Sequence, residues 1–142
     1  MGESEVWAEW SLDGLEVAQL CLDYSLHIHL WTLKNGLSLT LSTPFTYSPG
    51  TGEPLTIDPE QKGAVIPALD ILHEPAFTFR ASSLGRCELH LEDGAFIASE
   101  AHPKYEAWES SGSGTLLLST IGPGSPWGKG PPPSERPLNN TL

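Results

Sequence analysis

Leu26-His27-Ile28-His29-Leu30-Trp31-Thr32-Leu33-Lys34-Asn35-Gly36-Leu37-Ser38-Leu39-Thr40-Leu41 is a β-hairpin written in sequence. Leu26, Ile28 and Leu30 alternate with His27, His29 and Trp31, and after Asn35-Gly36 a second run alternates Leu37, Leu39 and Leu41 with Ser38 and Thr40. Successive strand residues point to opposite faces, so each run has one dry and one wet face, and Asn-Gly supplies the positive φ angles of a tight hairpin turn. About sixty residues later the scheme returns around Asp93-Gly94: Cys87, Leu89 and Leu91 face inward, Glu88, His90 and Glu92 outward. Two alternating runs around an Asx-Gly pair, stated twice, predict two related antiparallel hairpin units.

Working outward, Leu15 to Leu22 reads as a strand leading into the first hairpin, and Phe77 and Phe79, alternating with Thr78 and Arg80, as the strand leading into the second. Pro44 ends the first unit, and 48–54, rich in Pro and Gly, reads as a loop. Asp58-Pro59-Glu60-Gln61 reads as a helix start, with Asp58 as N-cap, Pro59 at the first helical position and Gln61 completing a capping box. Gly63 and Pro67 interrupt it, which predicts a broken helix with a second piece over about 67–73 and a buried stripe of Val65, Leu69 and Leu72. Strands over 105–109 and 115–119 complete the β pattern. The expected fold is α+β and mostly β: about eight strands in a bent sheet or partly open barrel, with one short broken helix. The expected organisation is an acidic N-terminal arm over 1–14 pinned by Trp7 and Trp10, a single domain over 15–121, and a Pro/Gly-rich tail over 122–142 with Trp127 as its anchor.

Acidic side chains outnumber basic ones 18 to 7, for a net charge of -11. Such a surface repels phosphate backbones and attracts basic proteins, so the expected partner is a basic protein and not nucleic acid. No apolar run approaches the roughly 20 residues of a membrane span, and the acidic N-terminus is unlike a signal peptide, so no membrane association and a cytoplasmic location are expected. Cys21 and Cys87 fall at apolar-phase positions and are expected to be reduced and buried.

In their order and spacing, Asp23-Tyr24, Asn35-Gly36, Thr43-Pro44-Phe45, Ile57-Asp58-Pro59-Glu60, Asp93-Gly94, Tyr105-Glu106-Ala107-Trp108-Glu109 and Gly122-Pro123-Gly124 resemble a family of small actinobacterial proteins of uncharacterised function. The resemblance spans roughly 17–124 and brings no catalytic residues with it. It implies a loose likeness to the small acidic immunity proteins that accompany secreted bacterial toxins.

Three functional readings follow. The favoured one is a non-enzymatic acidic binding protein, an immunity-type inhibitor of a basic toxin or nuclease, acting as a monomer or homodimer without a cofactor. Its expected footprint is the outward side of 105–109, with Trp108, Glu106 and Glu109, extended by Glu88, His90 and Glu92 if the second hairpin is the neighbour. Tyr105 and Trp108 lie on opposite faces of a regular strand, so one enters the core and the other faces outward; the sequence leaves open whether Trp108 is a hot spot or a core residue. The second reading is a metal-dependent or hydrolytic enzyme, because His27 and His29 project from one strand face and His90 from the matching face of the other hairpin. The third is a self-associating structural module.

Overall fold

The computed structural model describes residues 4–32, 35–112 and 117–127, and for 117–120 the backbone alone. These residues form, in chain order, β1 (Trp7–Ser11), β2 (Glu16–Leu22), β3 (Leu26–Trp31), β4 (Gly36–Leu41), β5 (Phe45–Ser48), β6 (Leu55–Ile57), a 3-10 helix (Lys62–Ile71), β7 (Ala76–Ser82), β8 (Cys87–Leu91), β9 (Phe96–Ser99), β10 (Glu106–Gly112) and β11 (Leu117–Ile121). The strands make two open antiparallel sheets, one of six in the order β1-β7-β8-β9-β5-β6 and one of five in the order β11-β10-β4-β3-β2. The mostly β fold with two related units is as expected; in place of one bent sheet or partly open barrel there are two separate sheets.

The relation between the units extends to individual residue pairs. In the first unit Val17 pairs with Leu30, Gln19 with His29, Leu20 with Ile28 and Cys21 with His27. In the second, Ala76 pairs with Leu91, Thr78 with His90, Phe79 with Leu89 and Arg80 with Glu88. Both leading strands break register at the same step, between Val17 and Gln19 and between Ala76 and Thr78. The lead-in segments are exchanged across a pseudo-two-fold: the Val17 amide donates to the Glu74 carbonyl and the Ala76 amide to the Leu15 carbonyl, with Glu16 bridging Pro75 between them.

The closing hairpins are exchanged as well. β5 and β6 leave the first unit to extend the second unit's sheet through β9, and β10 and β11 leave the second to extend the first unit's sheet through β4. β1 follows the same rule by pairing with β7, so the segment expected as an arm supplies a sheet edge. Its counterpart is the helix: Ser11 stands six residues before Val17, and Ile71 five before the equivalent Ala76.

The helix runs through Pro67 and is not broken there. With i to i+3 bonding its buried stripe has a period of three, Val65, Ala68 and Ile71, while Leu69 (48%) and Leu72 (37%) are exposed. Gln61 is the N-cap; Asp58 instead closes a turn by accepting from the Glu60 amide at 3.0 Å. The hairpins also differ from one another. In the second, the loop 92–94 carries Gly94 at φ +94°, and Asp93 Oδ1 accepts from the Ala95 amide at 2.9 Å, the three-residue turn that needs a left-handed glycine. In the first, pairing ends at Trp31–Gly36, so Gly36 belongs to β4 and the turn is 32–35, of which 33 and 34 lie outside the described residues.

The core lies between the sheets. Phe79 of the six-stranded sheet stacks on Trp10 at 5.8 Å and meets Trp108 of the five-stranded sheet edge-on at 6.0 Å. Burying such a ring contributes roughly 1.5–3 kcal/mol. Trp127, from the Gly/Pro-rich segment, packs against this core, whereas 128–142 lie outside the described residues.

Candidate functional site: an acidic cleft and a histidine ladder on opposite sheets

The register step in β7 has a direct consequence for the surface. Phe77 and Phe79 would share a face in a regular strand; with the extra residue between Ala76 and Thr78, Phe79 is buried and Phe77 turns out, 59% exposed. Phe77 stands in a cleft of about 620 Å³ whose other walls include Ser11, Asp13, His90 and Glu92. Asp13 and Glu92 are exposed, and His90 is held in place with its Nε2 2.8 Å from Glu88 Oε1 and its ring stacked on Phe96 at 5.1 Å. The cleft thus offers an apolar ring beside two carboxylates.

The arginines of this face are already engaged. Arg80 bonds Glu88 Oε1 at 3.1 Å and lies over the Trp7 ring at 4.3 Å, with Glu9 at 3.7 Å. Arg86 reaches Glu5 at 3.1 Å and Glu100 at 3.3 Å. These pairs neutralise the cations of the sheet face and leave the carboxylates of the cleft to face solvent.

Of the expected footprint, Glu88, His90 and Glu92 come together here, on the six-stranded sheet. Glu106 and Glu109 are exposed on β10, whose neighbours are β4 and β11, so the second hairpin is not adjacent to it. Trp108 is corrected from anchor to core: a register step between Glu106 and Glu109 turns both Ala107 and Trp108 inward, and Trp108 is 1% exposed with its Nε1 donating to the Gly85 carbonyl at 2.9 Å. Tyr105 is the outward ring, lying against His102 at 4.8 Å. Asp13 and Phe77 were missed; Phe77 follows the rule of alternation only once the bulge is known.

The three histidines of the metal reading do not converge. His27 and His29 project from the outer face of the five-stranded sheet and His90 from that of the other, with the core between the sheets. Among the described residues no group of three His, Cys, Asp or Glu side chains is placed to hold a metal ion. His27 and His29 are instead parallel rungs of a ladder that continues to Trp31, with centroids 6.4 and 6.1 Å apart. Each rung is fixed from the neighbouring strand, His27 Nδ1 by the Thr40 hydroxyl at 3.0 Å and His29 Nδ1 by the Ser38 hydroxyl at 2.8 Å. His27 Nε2 is 3.0 Å from Asp23 Oδ1, and the Ser25 amide, followed by His27, holds the Asp23 carboxyl below its usual range.

The bulge in β2 also moves Cys21 to this outer face, opposite His27 and half-buried, so the expectation of two buried thiols holds for Cys87 alone. Burial pushes the Cys87 thiol well up. No described helix is long and apolar enough to cross a membrane.

No curated protein and no solved structure gives a significant match to the chain. The profile of one protein family matches residues 8–125, a span that takes in all of β1 but its first residue, both exchanged hairpins and the cleft; the chain belongs to this family, DUF6188, a family of unknown function.

Proposed function

We propose that this chain is a non-enzymatic binding protein that engages a basic protein partner through the cleft around Phe77; in its finer form, it is an immunity-type inhibitor of a basic toxin or nuclease in an actinobacterial cell. The bulge in β7 carries the reading: it exposes an aromatic ring in a cleft of about 620 Å³ that Asp13 and Glu92 also line. An arginine or lysine of the partner would pair its cationic head with the cleft carboxylates and lay its stem or charge against the ring, an arrangement favoured by ion pairing and by the cation–π attraction. The net charge of -11 supports it by steering a basic partner toward this surface.

The test is a titration with a short peptide of alternating arginine and leucine, acetylated and amidated. Saturable binding that weakens with salt is expected, and Phe77→Ala and the double variant Asp13→Asn/Glu92→Gln should each lower affinity about tenfold, a loss near 1.4 kcal/mol. Affinity unchanged in both variants, with folding intact, would exclude the cleft.

A further inference from the structure

We infer that the outer face of the five-stranded sheet carries a second binding site, for a neutral carbohydrate, with Trp31 as its platform. The pseudo-two-fold locates it. Leu30 and His29 occupy in the first unit the positions of Leu91 and His90 in the second, so Trp31 stands where the acidic cleft has Glu92. The two faces share one framework and differ in chemistry.

Trp31 ends β3, a strand flanked on both sides, and its ring is braced by stacking on His29. It is nevertheless 48% exposed. Its partner across the ladder is Gly36, where an added Cβ would lie 3.5 Å from the Trp31 Cβ and 3.2 Å from the Leu30 carbonyl. A side chain there would press on the Leu30 carbonyl and come into contact with the base of the Trp31 side chain. Beyond Trp31 and Gly36 a depression of about 220 Å³ is lined by Ser38, Ser111 and Gly112 as well. Ser38 and Ser111 are directly paired across β4 and β10, so two hydroxyls sit side by side one step along the sheet from the ring.

Among the described residues the lining contains no charged side chain. In a chain of net charge -11, that distinguishes this depression from the acidic cleft and from a site for a basic partner. The ligand that fits is uncharged, has an apolar face to lay on an indole and carries hydroxyls at its rim. A sugar ring meets all three conditions: its axial C–H groups are drawn to the negative face of the indole, and its hydroxyls exchange hydrogen bonds with Ser111 and with the capacity the Ser38 hydroxyl keeps beside its bond to His29. Small sites of this kind work by one aromatic surface and a few placed polar groups.

The experiment applies the full chain to an array of neutral and acidic oligosaccharides and then titrates the best-retained neutral one. At least one neutral glycan should be retained and acidic glycans should not. Trp31→Ala should lower the affinity at least tenfold, Ser38→Ala with Ser111→Ala severalfold, and Asp13→Asn/Glu92→Gln should leave it unchanged. Circular dichroism and melting temperature establish that each variant is folded. Retention of no neutral glycan, retention of acidic glycans alone, or wild-type affinity in folded Trp31→Ala would each overturn the inference. The Asp13/Glu92 control keeps this result separate from the fate of the acidic cleft.

Discussion

Trp108 joins the two sheets: its ring meets Phe79 across the core, and its indole N–H satisfies the Gly85 carbonyl, in the turn between β7 and β8. Trp108→Ala removes both, and a loss of roughly 3–5 kcal/mol is expected from denaturant unfolding, as for other buried aromatics. Trp108→Phe keeps most of the packing but leaves that carbonyl without its donor, for a loss of about 1–3 kcal/mol. Asp23 makes a different kind of contribution, one that depends on pH. Its carboxyl is held below the ordinary value of 3.8, so the stabilisation it brings is present above that value and is lost as pH falls through the lower, folded one. Thermal melts of wild type and Asp23→Asn should therefore differ at neutral pH and converge in the acid range below 3.8. A difference that persists unchanged into that range would mean the charge is not the cause.

At the scale of elements, alternation read directly from the residues places β3, β4, β8 and β9 and their inward faces, because each is a regular strand with one face on the core. The errors cluster at three register steps, in β2, β7 and β10. One extra residue reverses the phase of everything beyond it, so Cys21 turns out, Phe77 turns out and Trp108 turns in. Nothing in the residue types marks a bulge, since its geometry is set by the neighbouring strand. β5 and β6 were hidden for another reason. Each is short, and Pro49 and Pro54 between them read as an uninterrupted loop. The helix was legible in place but not in period, because a 3-10 stripe of Val65, Ala68 and Ile71 differs from an α-helical one. The candidate site was half legible on the same grounds: Glu88, His90 and Glu92 follow from alternation, whereas Asp13 and Phe77 required the pairing of β1 with β7 and the bulge.

At the scale of the whole molecule, exchange of β1, of the hairpins and of the lead-in segments means that neither unit can complete a sheet by itself. Fragments 1–60 and 61–142, cut in the exposed segment ahead of the helix, should each be unfolded alone and regain β-sheet circular dichroism when mixed; a fragment that folds cooperatively alone would contradict the exchanged arrangement. The same arrangement gives the protein two related outer faces, one with carboxylates beside Phe77 and one with hydroxyls near Trp31, and the first is the face proposed to receive a basic partner. Backbone amide chemical-shift mapping during titration with the arginine–leucine peptide shows directly which face receives the cation. Perturbations are predicted to centre on Ser11, Asp13, Phe77, His90 and Glu92; perturbations centred on 105–109 or on the Trp31 face, or none at saturating peptide, would contradict it.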